Sequence, residues 1–264
     1  MNFRPNPMPR FYRWRTNMLQ IPVMTVVTVV CGSISLLASL VEKHGRAQHR
    51  IARFWAQTLL RLSGCSLSVR GAENLGKFPV AVYASNHTSY FDTPVIFAAL
   101  RFQFRILAKK ELWPIAFIGW YLSRSGQMPI DTQNPHATMS SLGAAVKALR
   151  SGMPLFVFPE GRRTPTGELQ EFLSGAAYLA IRSQVPLVPI ALSGVYDLLP
   201  IHTRHFYSTK LTLAAGEPIE TKGMTPRQTD ELTAKLRNAI ENLRHSVRSD
   251  TLDSVEQAAA RAEV

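Results

Sequence analysis

Cysteine is almost missing from this chain, with 2 in 264 residues, Cys31 and Cys65. Two thiols cannot build a disulfide framework or a four-ligand zinc site, so the bulk of the protein is expected in a reducing compartment. His202 and His205 lie close together but have no Cys pair or further ligands beside them, and no metal site is expected. Acidic residues are scarce as well, 18 against 30 Lys and Arg, for a formal net charge of +12. Such a balance calls for an anionic partner: nucleic acid, an anionic lipid surface, or a phosphorylated substrate. Only one uncharged stretch is long enough to cross a bilayer, which excludes a polytopic membrane protein. A hydrophobic share of 46% excludes wholesale disorder. No G-x-S-x-G nucleophile elbow is present, which argues against an α/β-hydrolase. Gly71 to Lys77 has phosphate-loop spacing, but Phe78 stands where a Ser or Thr belongs. Pro79 and a strand then follow in place of the anion-binding helix start.

The one long apolar run is Met18 to Val41, 24 residues without a charge. At ~1.5 Å per residue a helix of this length reaches across the ~30 Å of a bilayer core. It is too long for a signal-peptide core, no small-residue cleavage site follows, and a retained membrane anchor is expected. The alternative is a β-rich run buried in a soluble fold. Arg4, Arg10, Arg13 and Arg15 precede the run, and Lys43, Arg46, Arg50 and Arg53 follow it, so charge does not set an orientation. The tie also suits a segment that lies in one leaflet and returns to the same face. Residues 44–63 place Ile51, Phe54, Trp55 and Leu59 on one helical face, with Arg46, Arg50, Arg53 and Arg61 largely elsewhere. That pattern fits a basic membrane-surface helix or an ordinary core-facing one.

From about Leu67 short β-rich runs alternate with helical stretches. Strands are expected at Pro79–Ala84, Phe104–Ala108, Gln127–Ile130, Leu155–Phe158, Leu187–Leu192 and Lys210–Ala214. Helices are expected at Thr93–Leu100, Leu112–Ser123, Ala137–Leu149, Ser174–Ser183 and Pro226–Arg248. The alternation predicts an α/β fold, a mixed, mostly parallel sheet flanked by helices. The chain then divides into an N-terminal region (1–63) with the apolar and amphipathic helices, an α/β domain (64–249), and a frayed tail (250–264).

Two loops carry chemistry. Asn86-His87-Thr88-Ser89-Tyr90-Phe91-Asp92 follows an apolar strand and precedes a helix start. It therefore sits at the carboxyl edge of the sheet, where α/β folds place ligands. His87 and Asp92 are close enough for the carboxylate to hold the imidazole in one tautomer, leaving the other nitrogen to take a proton. The plainer reading is a helix cap at Asp92 and a turn-filling His87. Phe158-Pro159-Glu160-Gly161-Arg162-Arg163-Thr164 ends another apolar strand. Gly161 lets the backbone approach an anion closely, and two guanidiniums supply a planar fork suited to phosphate oxygens. Glu160 could orient one arginine or accept a substrate hydroxyl. The plainer reading here is a basic surface turn.

Taken together, in this order and about 70 residues apart, the two loops resemble the glycerolipid acyltransferase family, the lysophosphatidate acyltransferases. The family's His-x4-Asp block is matched by His87 and Asp92. Its Phe-Pro-Glu-Gly-Thr-Arg block is matched at Phe158, Pro159, Glu160, Gly161 and Arg163, with Arg162 in place of Thr. Val185-Pro186-Leu187-Val188-Pro189-Ile190 looks like the fourth block, and Lys109-Lys110-Glu111-Leu112 like a segment between the first two. The second block departs: Gly126 to Ile130 fits, but Thr132 replaces the usual arginine. The resemblance spans about residues 67–220.

It implies that residues 64–249 form an acyltransferase domain moving a fatty acyl group from acyl-CoA or acyl-ACP to the hydroxyl of 1-acylglycerol 3-phosphate. His87 and Asp92 would be catalytic, and Glu160, Gly161, Arg162 and Arg163 would bind substrate. No metal or resident cofactor is implied. The expected partners are the lipid acceptor, the thioester donor and an anionic membrane surface, with no nucleic acid, since no recognised module for it is present. The expected location is a membrane, the inner membrane in a bacterium, with the catalytic domain facing the cytoplasm. The alternatives are another lysolipid acceptor, such as a lyso-ornithine lipid or a lysophospholipid, and a non-catalytic lipid-binding protein on the same fold.

Overall fold

The computed structural model describes residues 14–200 and 205–262, so Arg4, Arg10, Arg13 and His202 lie outside the described residues. Two helices come first, α1 (Ile21–Val41), entered through a π-helical turn at Thr16–Gln20, and α2 (Arg46–Ser63). The connection is short because the Glu42 carboxylate accepts from the Ala47 backbone N–H at 3.0 Å, satisfying a donor at the start of α2. Strands β1 (Ser66–Arg70), β2 (Val82–Ser85), β3 (Arg105–Lys109), β4 (Met128–Ile130), β5 (Leu155–Val157), β6 (Leu187–Ser193) and β7 (Lys210–Ala215) form one sheet in the order β1-β7-β6-β2-β5-β3-β4. All pairs are parallel except β6 with β7. Between and after them run α3 (Asp92–Ala99), α4 (Ile118–Arg124), α5 (Pro135–Arg150), α6 (Gly175–Ser183), α7 (Val195–Leu198) and α8 (Thr229–Ala262).

The two-residue period of the strands divides the core. Tyr83, Phe156, Ile106 and Ile190 point to one face, against Ala52, Ala56 and Leu59 of α2 and Val95 and Ile96 of α3. Val82, Ala84, Leu155 and Val157 point to the other, against Leu142 and Leu149 of α5, Leu179 of α6, and Leu232 and Ile240 of α8. Because helices cover both faces, β2 and β5 are buried at every residue and read in the sequence as unbroken apolar runs.

Four expectations need correction. Strand β1 falls where none was expected; it is an edge strand, largely exposed, that pairs with β7 among the described residues. The expected helix Leu112–Ser123 is broken: a 3₁₀ turn at Lys110–Leu112 gives way to α4 only at Ile118, after Phe117 takes φ 69°. Pro114, which cannot donate to a helix ladder, lies in the break. The last helix runs to Ala262, so residues 250–262 of the tail expected to fray are helical. In α2 the buried residues are Gln48, His49, Ala52, Ala56, Leu59, Leu60 and Ser63; of the expected stripe Ile51, Phe54, Trp55 and Leu59, Leu59 is buried, Trp55 is half-buried against the core, and Phe54 is exposed.

Helix α1 is the reverse of a soluble amphipathic helix. Its inward face is Met24 with the small residues Cys31, Ser35 and Ser39, while Val26, Val29, Ile34, Leu37 and Leu40 point outward, Leu37 being 66% exposed. The buried β-rich alternative for this run is therefore excluded. The inward face touches the domain at several levels. Gln20 Nε2 donates to the Leu62 carbonyl at 2.9 Å, and Trp55 Nε1 donates to Thr28 Oγ1 at 3.0 Å. Gly32 lies so near the Phe117 ring that a Cβ there would meet Cζ at 2.5 Å.

Candidate active site

Strands β2 and β5 are parallel neighbours in register, Val82 opposite Leu155 and Ala84 opposite Val157. Their carboxyl ends therefore open side by side, and the loops that follow them meet although they are far apart in sequence. The first loop is tied to β6 by Asn86, whose Nδ2 donates to the Leu192 carbonyl at 3.0 Å and whose Oδ1 accepts from the Leu192 N–H at 2.8 Å. The second is tied to the first. Thr164 N donates to the His87 carbonyl at 2.9 Å, and His87 N donates to Glu160 Oε1 at 2.7 Å.

His87 and Asp92 come together as the spacing suggests. Nδ1 of His87 is 2.7 Å from Asp92 Oδ2. Asp92 has no exposed surface, and its carboxylate also accepts from Thr88 N at 2.6 Å, Ser89 N at 2.8 Å and Thr88 Oγ1 at 3.2 Å. The plainer reading of a helix cap is not what is seen, since Asp92 is the first residue of α3 and caps none of its N–H groups; the same oxygen that takes the loop's backbone donors takes the imidazole. With the carboxylate as acceptor, Nδ1 is the donor of this pair, and in the neutral ring Nε2 then keeps its lone pair. Nε2 has no protein partner among the described residues. The ring is fixed from its face by Phe158, stacked at 3.9 Å between centroids and 19° between planes.

Glu160 is turned into the protein. It is 6% exposed, and its second oxygen accepts from Gln170 N at 3.1 Å and Gln170 Nε2 at 3.0 Å. Burial pushes its carboxyl pKa up, against the opposing pull of these donors and of His87 N. It braces the two loops and reaches an arginine only through Gln170. Gly161, at φ 67°, turns the chain so tightly that a Cβ would come within 2.9 Å of Leu173 Cδ1. Arg162 is exposed and donates from Nε to Gln170 Oε1 at 3.0 Å. The Arg163 guanidinium lies over the Tyr90 ring, 3.8 Å from its centroid. Neither arginine pairs with a carboxylate among the described residues. The site therefore presents an imidazole with a free nitrogen and two cations held by uncharged partners.

Thr132 is exposed, and the residue before it is no substitute for the missing arginine. Asp131 pairs with Lys110 and caps Gln133 N and Asn134 N at 3.0 and 3.2 Å; the Lys110 ammonium holds its carboxyl below the usual range. Sequence reasoning missed Gln170 and Tyr90. Tyr90 had a weak signal as an aromatic residue inside a polar turn; Gln170 belongs to no motif.

An acyltransferase family model matches residues 66–193, from β1 to the end of β6, with both loops inside it. The chain is 33% identical over 153 residues to the chloroplastic 1-acyl-sn-glycerol-3-phosphate acyltransferase of Arabidopsis thaliana, covering 58% of this chain and 42% of that one. It is 29% identical over 209 residues to the 1-acyl-sn-glycerol-3-phosphate acyltransferase of Saccharomyces cerevisiae, covering 78% and 69%. It thus spans less than half the length of the plant relative. The backbone matches the crystal structure of the 1-acyl-sn-glycerophosphate acyltransferase PlsC from Thermotoga maritima with a TM-score of 0.75 at 23% identity, over 88% of this chain and 95% of that one. The mixed, mostly parallel sheet is thus the fold of that protein. Over this central domain the chain is similar to the 1-acylglycerol-3-phosphate acyltransferases and has the fold of one of them.

Proposed function

We propose that the protein is an O-acyltransferase that moves a fatty acyl group from an acyl-CoA or acyl-ACP thioester to the free hydroxyl of 1-acylglycerol 3-phosphate, yielding phosphatidate. The observation that carries the reading is the open Nε2 of His87, set beside two arginines that no carboxylate neutralises. The acceptor's phosphate would bind Arg162 and Arg163, with Gly161 allowing the backbone to come close. Its hydroxyl would then lie at Nε2. The imidazole takes the hydroxyl proton as the oxygen attacks the thioester carbon, a contribution of typically ~10²–10⁴-fold. The tetrahedral adduct collapses by expelling thiolate, and the proton carried on Nε2 can pass to that sulfur. Asp92 holds the ring throughout. Neither a covalent acyl-enzyme nor a resident metal or cofactor enters this sequence.

The membrane is part of the same proposal. The outward apolar face of α1 continues into Ile115, Ile118 and Trp120, all exposed, beyond Phe117, which packs on Gly32. Apolar surface of this extent fits a lipid phase. Because α1 is bound to the domain at Gln20, Thr28 and Gly32, we place it along the interface in one leaflet, not across the bilayer. The free thiols Cys31 and Cys65 fit a domain on the cytoplasmic side.

An acceptor panel in mixed micelles tests the reaction. Thioester cleavage by the purified chain should depend on acceptor and be fastest with 1-acylglycerol 3-phosphate. Thr132 favours testing a lyso-ornithine lipid and a zwitterionic lysophospholipid beside it. A clear preference for either would move the assignment within the family, and thiol release without any acceptor would count against acyl transfer.

A further inference from the structure

We propose that Gln170 is the positioning residue that aims Arg162 at the acceptor's anionic head group while leaving the guanidinium's charge uncompensated. The inference deepens the acyltransferase reading and rests on it. Every polar atom of the Gln170 side chain is engaged. Oε1 accepts from Arg162 Nε at 3.0 Å, and Nε2 donates to the Arg162 carbonyl at 3.1 Å and to Glu160 Oε2 at 3.0 Å. Its backbone N–H holds the same Glu160 oxygen at 3.1 Å. Glu160 in turn takes His87 N through its other oxygen at 2.7 Å. One buried carboxylate therefore sets the loop that carries the imidazole and, through Gln170, the direction of an exposed arginine.

The choice of an amide matters. Arg162 on an exposed turn would otherwise sample many rotamers, each lost again when an anion binds. Fixing Nε alone leaves the two terminal nitrogens, the fork that matches two phosphate oxygens. A glutamate or aspartate at position 170 would hold the same nitrogen but cancel the charge. Arg163 is treated in the same way, since the Tyr90 ring orients it without neutralising it. Both cations are pre-aimed and still fully attractive to a phosphomonoester, the chemistry of a head group that carries its charge at one end.

The test uses the full-length chain in mixed micelles with two acceptors, 1-acylglycerol 3-phosphate and the uncharged 1-acylglycerol. Gln170→Ala should raise KM for the phosphorylated acceptor about tenfold or more. It should leave kcat within about threefold and change neither the donor KM nor the uncharged acceptor's rate. Arg162→Lys keeps a cation but loses the Nε that Gln170 holds, leaves the Gln170–Glu160 contacts in place, should raise the same KM, and carries the test if the alanine variant does not fold. Arg162→Ala and the double change with Gln170→Ala should give the same KM for the phosphorylated acceptor, because Gln170 reaches the head group only through Arg162. A fall in kcat shared by both acceptors, or full additivity in the double variant, would overturn the proposal and leave Gln170 a loop brace. A wild-type chain that transfers acyl groups to neither acceptor would defeat the acyltransferase reading instead. Direct binding of 1-acylglycerol 3-phosphate would then decide on Gln170, with a tenfold weaker Kd in Gln170→Ala upholding it and an equal Kd refuting it.

Discussion

A carboxylate with no exposed surface has to be given donors, and Asp92 receives four, three of them on Oδ2. The two backbone donors keep that oxygen in place whether or not the imidazole is there, so Asp92 orients His87 without depending on it. Asp92→Asn puts either a second donor or a neutral acceptor against Nδ1, and the ring loses its fixed tautomer. We expect kcat to fall by at least ~10² with little change in acceptor KM, measured by thiol release at saturating donor. A change below threefold would mean that the carboxylate only caps the turn. The pairing was legible in the sequence because five-residue spacing across a strand-to-helix turn brings the two side chains together by local geometry alone. The bracing by Gln170 and the stack of Tyr90 on Arg163 were not: Gln170 meets partners eight and ten residues back in an irregular connection, Tyr90 and Arg163 come from different loops, and neither contact has a spacing rule.

Helix α2 packs between α1 and the sheet, and there His49 is buried against aromatic rings, edge-on to Phe104 at 5.1 Å and tilted to Phe97 at 5.5 Å. Burial, with Arg53 adding repulsion, pulls its pKa down from 6.5 to about 4. Between those values the unfolded chain binds a proton that the folded chain refuses. His49 thus costs nothing above pH 6.5, and stability falls as pH drops from 6.5 toward 4, by of order 2 kcal/mol. Thermal midpoints at pH 7.5 and 5 should show this loss, and His49→Leu should flatten it. Equal pH dependence in the two proteins would remove His49 as the cause. At this scale the sequence was readable where burial is two-sided: β2 and β5 stand out as apolar runs, and α5 begins at the Asn134-Pro135 cap within two residues of expectation. It was unreadable where a partner lies far along the chain. β1 alternates small polar and apolar residues at an edge, and its pairing with β7 spans about 140 residues. Phe117 at positive φ breaks a helical pattern for the sake of a contact with Gly32, which no local preference announces.

For the molecule as a whole, the proposed membrane partner would be met by both the basic balance and the outward apolar face of α1. Burial of aliphatic side chains is not screened by salt, whereas attraction to anionic lipid fades within about 10 Å at 0.1 M. Full-length protein should therefore stay on anionic vesicles through a high-salt wash. Replacing Val26, Ile34 and Leu37 with serine, which leaves the inward face of α1 untouched, should let salt release most of it while activity toward micellar acceptor persists. Salt release of the unaltered chain would show that lipid does not cover this face. The most direct measurement of the central claim is acceptor-dependent thiol release from an acyl thioester, by wild type and by His87→Ala, with 1-acylglycerol 3-phosphate as acceptor. A turn histidine contributes little packing, so the variant should fold, bind acceptor with a near-normal KM, and turn over at least ~10² more slowly. Near-normal turnover in His87→Ala would contradict the account, because the account assigns the hydroxyl proton to His87 Nε2.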